Sequence, residues 1–178
     1  MDFVETSTGE ITFGQLREYF RKDSAEIVVL HPSYEAGSFV DQVVAAALPE
    51  KRCVLVGGGP ATHQWKQILE NSGAHGVITG DIDEAPTEVA AALESGVSIE
   101  GIANLAVKVG DRLVPAKPRG AKHDLDEMPM PRHDLLMKPD YKFYYPMNTR
   151  GRLRMGYIMA SRGCPYSCVF CSEVERAS

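Results

Sequence analysis

Three cysteines in one short run carry the strongest chemical signal in the chain. Cys164, Cys168 and Cys171 stand in Ser161-Arg-Gly-Cys-Pro-Tyr-Ser-Cys-Val-Phe-Cys171, with the spacing CxxxCxxC. Thiolates are soft ligands, and three of them on one loop can hold three corners of an iron–sulfur cube. A structural zinc, or a cluster held wholly by protein, wants a fourth protein ligand. The remaining cysteine, Cys53, lies far upstream in an apolar run and reads as core. Three ligands with no evident fourth point to a cluster with one iron open to a small molecule. Two other readings stay open here: a zinc site completed by one of the five histidines, and three inert thiols. A disulfide does not use three cysteines evenly, and nothing in the chain signals export.

A second candidate site lies upstream. Val54-Leu-Val-Gly-Gly-Gly-Pro60 reads as a strand, a glycine turn and a helix start. Glycine lets backbone approach a ligand closely, and a helix N-terminus favours anions. The run is not a dinucleotide fingerprint, because GxGxxG would put glycine where Thr62 stands. A plain tight turn and a ligand contact are both compatible with it. His31 is the one histidine expected at the carboxyl end of a strand, where α/β proteins bind ligands, although a loop histidine without a ligand is the simpler reading. Asp81, Asp83 and Glu84 read as caps of the helix that follows them.

These residues need elements to position them. Phe13, Leu16 and Phe20 recur at helical spacing, and Thr12 with Gln15 forms a capping-box pattern. Residues 26–31 and 51–56 are short apolar runs that read as buried strands. Between them, Phe39, Val43, Val44 and Ala47 trace a helical face with Ser38 as its expected N-cap. After the glycine turn, Trp65, Ile68 and Leu69 mark the inward side of a third helix. Residues 76–79 make a third strand, and a fourth helix is expected over 85–94 with Pro86 in its first turn. Strand and helix alternate, which predicts a parallel sheet with helices on both faces. Leu105, Val107 and Val109 alternate before Gly110-Asp111, predicting a small hairpin. From Ala116 the chain turns proline-rich and charged, as a linker would. Tyr141, Phe143, Tyr144 and Tyr145 are expected to pack between two units, with a substrate-facing role as the alternative, and residues 154–160 read as a strand leading into the cysteine loop.

The chain has 178 residues, 44 % of them hydrophobic and 24 % charged, a globular balance. Its net charge of −5 gives no general field for nucleic acid. No apolar run approaches the length of a membrane helix. The first residues lack the basic and apolar regions of a signal peptide, so a reducing, cytoplasmic setting is expected.

The cysteine run, with aromatic Phe170 before its last ligand, resembles the signature of the radical S-adenosylmethionine (radical SAM) superfamily. The resemblance implies a 4Fe–4S cluster on Cys164, Cys168 and Cys171, with S-adenosylmethionine on the open iron and its adenine against Phe170. It implies an enzyme that cleaves S-adenosylmethionine reductively to methionine and a 5′-deoxyadenosyl radical, with a flavodoxin or ferredoxin as electron donor. Arg162 and Gly163 would shape the loop. Upstream, Val56-Gly-Gly-Gly-Pro-Ala-Thr62 and Gly80-Asp-Ile-Asp-Glu84 resemble the cobalamin-binding-type domain that precedes the barrel in one radical SAM class. The linker residues Asp124–Pro131 and Asp134–Leu136 are similar in style to that class. This implies a Rossmann-like (flavodoxin-like) α/β domain over residues 1–115, a linker over 116–150, and over 151–178 the start of a (β/α) barrel. Cobalamin would be a further cofactor, with Gly57 and Gly58 making room for it, and methyl transfer to an unactivated carbon or a related radical reaction the outcome. The chain lacks the class's Asp-x-His-x-x-Gly pattern at every histidine. A whole barrel would need about 150–200 further residues by the usual size of such units, so the chain is expected to be a fragment that is inactive alone. Two rivals follow: a ligand-binding α/β module whose cysteine loop does no catalysis, and a zinc-stabilised interaction protein.

Overall fold

The structure, a computed structural model, describes residues 11–32, 37–120, 126, 128–132, 134, 166 and 168–171. The expected aromatic cluster, the strand over 154–160, Ser161 to Gly163 and Cys164 lie outside the described residues, as do residues 1–10 and most of the linker.

The first helix, α1 (Phe13–Lys22), begins as its sequence predicts. The Thr12 side chain accepts from the Gln15 amide at 3.3 Å, and the Thr12 amide donates to Gln15 Oε1 at 2.9 Å. Such a cap contributes about 1 kcal/mol. Leu16 and Phe20, one turn apart, are its buried residues. The chain then leaves helical geometry at Asp23 and enters β1 (Ile27–Leu30).

Strands β1, β2 (Cys53–Gly57) and β3 (Gly76–Ile78) are parallel, with Ile27 opposite Cys53 and Leu55 opposite Gly76. Their crossovers are α2 (Gly37–Ala47) and α3 (Gly59–Asn71). Side chains alternate across a strand, and β2 divides the core accordingly. Val54 and Val56 join α1, α2 and α3 on one face, through Val43, Val44, Ile68 and Leu69. Cys53 and Leu55 face the other way, toward Ala85 and Val89 of α4 (Ala85–Glu94). Each fully buried aliphatic side chain contributes roughly 1.5–3 kcal/mol before conformational entropy is charged. The α/β class and the helices on both faces are as the alternation predicts, and α4 spans the expected residues. Helix α2 starts at Gly37, so Ser38 stands inside it rather than at its cap. In α3, Ile68 and Leu69 are buried, while Trp65 is only half-buried against the same core.

The hairpin differs from its sequence reading in one respect. Strands β4 (Leu105–Val109) and β5 (Arg112–Val114) do pair through Gly110-Asp111. Gly110 has φ +58°, and Asp111 is not in the positive region, which is the pattern of a type II′ turn. Yet β4 also pairs antiparallel with β3, so the hairpin extends a five-stranded mixed sheet in the order β1-β2-β3-β4-β5. Leu105, Ala106 and Val107 are all buried because β4 lies inside the sheet, where both faces are covered.

Lys51, just before β2, anchors the amino end of the sheet. Its buried ammonium donates to Asp23 O at 2.8 Å, Asp23 Oδ2 at 3.0 Å and Ala25 O at 2.8 Å, which uses all three of its donors.

Candidate functional site

The parallel strands direct their carboxyl ends to one rim. His31 follows β1, Gly58 follows β2, and Thr79-Gly80 follows β3. Gly58 has φ +106° and ψ 178°, backbone that is essentially reserved for glycine. A Cβ built on it would come within 2.8 Å of His31 Nε2, so the exposed imidazole lies directly against the Gly58 backbone. A Cβ on Gly57 would meet Ile82 Cγ2 at 2.9 Å. Both glycines therefore serve the protein's own packing. Gly80, at φ +78°, has only Asn104 Nδ2 nearby, at 3.8 Å from a built Cβ.

Thr62, buried in the first turns of α3, ties this rim together. Its hydroxyl donates to Gly58 O at 3.2 Å and accepts from the Gly80 amide at 2.9 Å, joining the ends of β2 and β3. Asn104 does the same one strand further on. It sits at φ +61°, a conformation asparagine tolerates better than most residues. Its carbonyl accepts from Thr79 N and its amide donates to Lys117 O, both at 2.8 Å. Its side chain accepts from Arg119 N at 2.8 Å and donates to Asp81 O at 3.4 Å. Arg119 in turn spans the first turn of α4, pairing with Glu84 at 2.6 Å and Glu88 at 2.7 Å. Its hydrogen bond and charge hold the Glu88 carboxyl below its ordinary value, and Glu88 raises Arg119 in return. The expected cap at Glu84 is not made. Glu84 occupies the N-cap position without a side-chain capping bond, because the guanidinium offers its carboxylate a charged partner.

The cysteine run is described in part. The Cys171 amide donates to Cys168 O at 3.0 Å, closing a turn through Val169 and Phe170. Cys168 is exposed and Cys171 half-exposed, both as free thiols. Phe170 is 88 % exposed, a flat apolar surface beside them. The turn puts two soft donors on one short loop, which suits an iron–sulfur or zinc centre. The third expected ligand, Cys164, lies outside the described residues. Among the described residues, no group of three or more histidine, cysteine or acidic side chains converges for a metal. Cys53 is core: burial pushes its thiol up to about 11. His75 is structural, its Nδ1 accepting from the Val54 amide at 3.1 Å.

A shallow depression of about 570 Å³, lined by Glu70, His75, Glu100 and Lys108 among others, lies at the opposite end of β3. It is remote from the rim and the glycine turn. Asn104, Arg119 and Lys51 were not singled out from sequence. Only the asparagine before an apolar run offered a signal, as a residue tolerant of left-handed turns.

No family model matches the chain. The uncharacterized methyltransferase PH0819 of Pyrococcus horikoshii is 27 % identical over 167 residues, covering 92 % of this chain and 35 % of that protein. The anaerobic magnesium-protoporphyrin IX monomethyl ester cyclase of Cereibacter sphaeroides is 26 % identical over 178 residues, covering 96 % of this chain and 28 % of that protein. Among solved structures, the radical S-adenosylmethionine methyltransferase TsrM from Kitasatospora setae, with cobalamin and a [4Fe-4S] cluster bound, matches at a TM-score of 0.56. It is 17 % identical, over 63 % of this chain and 23 % of that one. The chain resembles the radical SAM methyltransferases. The match to TsrM is one of fold, and the matches to the methyltransferase and the cyclase are separate matches of sequence over nearly the whole chain. The chain spans about a third of the length of these curated relatives. Among the described residues, no helix is long and apolar enough to cross a membrane.

Proposed function

We propose that this chain is part of a radical SAM enzyme in which Cys164, Cys168 and Cys171 hold a 4Fe–4S cluster and the α/β rim receives cobalamin. The observation that carries the reading is the CxxxCxxC run, whose last two thiols share one hydrogen-bonded turn with Phe170. The donor set fits: three thiolates suit iron and leave one coordination position unfilled by protein. The rim leaves room for a flat ligand at half-buried Gly80, where a built Cβ would meet only Asn104, while Gly58 is buried against His31. Bound, the cluster supplies the electron that cleaves S-adenosylmethionine, and cobalamin supplies a carrier for a methyl group.

The chain's own residues bind and orient. Cys168 and Cys171 approach a metal from one turn, and Phe170 offers the ring against which adenine would stack. Thr62 fixes the spacing of the β2 and β3 ends, and Gly58 keeps the rim low. The class of outcome is methyl transfer or a related radical reaction on a small molecule, with a flavodoxin or ferredoxin as electron donor in a reducing compartment. TsrM, whose solved forms include one with tryptophan and a SAM analogue bound, supports the reading by its fold.

Anaerobic reconstitution with iron and sulfide tests it. About four irons per chain, with an electron paramagnetic resonance signal that changes when S-adenosylmethionine is added, is the expected result. One zinc per chain without iron or sulfide would overturn the reading in favour of a zinc-stabilised protein.

A further inference from the structure

The turn from Cys168 to Cys171 brings two thiols together whether or not a metal is present. The Cys171 amide donates to Cys168 O at 3.0 Å across Val169 and Phe170, closing a turn between its first and fourth residues. Such a turn holds those two Cα atoms within about 7 Å, and a disulfide spans Cα atoms about 4.4–6.8 Å apart. Cys168 is exposed and Cys171 half-exposed, and both are free thiols. Val169 and Phe170 are exposed as well, so the thiols can rotate toward each other without disturbing a packed core. The backbone of the turn is already closed, so a bridge across it adds little ordering cost. Cys53 is the contrast: it is enclosed in the core with its thiol pushed up to about 11, which removes it from thiol exchange.

We propose that Cys168 and Cys171 are a modification site: in metal-free protein they close to a reversible disulfide across the Val169-Phe170 turn. The oxidant is a small disulfide such as oxidised glutathione. One of the two thiolates attacks it, forming a protein–glutathione bond and releasing one small thiolate. The other cysteine attacks the protein sulfur of that bond. The Cys168–Cys171 bond then forms and the second small thiolate leaves. Two protein thiols are oxidised, one small disulfide is reduced, and the two protons pass to the departing thiolates. An exposed bridge in so short a ring is readily reduced again. The thiolate is the metal ligand, so the pair has two exclusive states, ligand and disulfide. That consequence rests on the proposed function, whereas the formation of the bridge does not.

Oxidised glutathione added to the metal-free full chain at about pH 8, near the ordinary thiol range, tests it. The reaction is quenched in acid and the remaining thiols are blocked with N-ethylmaleimide. Chymotryptic cleavage after Tyr166 and Phe170 puts Cys164, Cys168 and Cys171 on separate peptides, so mass spectrometry reads each pairing. The Cys168–Cys171 bridge should exceed either pairing with Cys164 by at least about fivefold, because the closed turn sets a high effective concentration. In Cys164→Ser it should form within about twofold of the parent rate, since the pair closes without a third thiol. With iron bound it should form at least about tenfold more slowly, because ligated thiolates do not attack. Scattered pairing, bridges between two copies, or stable glutathione adducts on separate cysteines overturn the proposal, even beside full iron uptake. Failed iron uptake, or equal bridging with iron bound, beside a clean Cys168–Cys171 bridge sinks the proposed function alone.

Discussion

At the residue scale, the three described thiols separate by environment. Cys53 is enclosed by Leu55, Ile78 and the α4 side chains, and its thiol is pushed up to about 11 from an ordinary 9.0. Cys168 and Cys171 have no such enclosure. The thiolate is the reactive species, so in metal-free protein at pH 8 iodoacetamide should label Cys168 and Cys171 while Cys53 reacts about a hundredfold more slowly. Peptide mass spectrometry over time reads this. Equal labelling of Cys53 would show that the core opens. Gly58 gives a second expectation. Gly58→Ala must place a Cβ at positive φ and against the His31 ring, a loss of about 1–3 kcal/mol in urea unfolding. Adding His31→Ala should return only part of that loss, because the ring contact is relieved and the backbone strain is not.

At the scale of elements, the amino end of the sheet depends on one buried ion. Lys51 joins the end of α1 to the start of β2, and its side chain is 1 % exposed against 20 % for Asp23. Lys51→Met keeps the aliphatic stem and removes the donors. It leaves two carbonyls and a partly buried carboxylate without the ammonium. Breaking such a pair costs several kcal/mol when both ions are buried. With Asp23 partly wet, about 2–4 kcal/mol is expected from the urea midpoint at unchanged slope. A loss below 0.5 kcal/mol, the ordinary surface range, would show that water replaces the lysine. The hairpin is the other element whose place matters. By pairing with β3 it brings residues 115–119 back to the rim, which a hairpin detached from the sheet could not do.

At the scale of the whole molecule, the ion pairs on Arg119 tie linker release to pH. Arg119 lowers the Glu88 carboxyl from its ordinary 4.5, so folding is favoured by the charged form. That contribution is fully present above the ordinary value. It is lost as pH falls through it toward the depressed folded value. Arg119 itself stays charged throughout. Partial exposure of Glu88 keeps the effect smaller than for a buried pair. Proteolytic cutting in the 116–131 segment by an acid protease should therefore rise below about pH 4.5 before the α/β core unfolds, and Glu84→Gln with Glu88→Gln should be cut faster than the parent chain by a neutral protease at pH 7. A susceptibility that follows global unfolding at every pH would contradict this.

Much of the local architecture was legible in the chain. The Thr12–Gln15 cap, the apolar runs of β1 to β3, the extent of α4 and the Gly110 turn all follow from neighbours within a few residues. So does the spacing of Cys164, Cys168 and Cys171, because three ligands on one loop are a local fact. What only the tertiary structure decided depends on partners far apart in sequence. It put β4 inside the sheet, where burial on both faces replaces the alternation of a free hairpin. It seated His31 on Gly58, so that the glycine serves an internal contact as well as any ligand. It turned Glu84 from a helix cap into half of a clamp on Arg119, a residue 35 positions later whose approach no local pattern encodes. Hydrogen bonds and burial between distant segments exist only once the chain has closed on itself, and there the rim of this protein acquired its geometry.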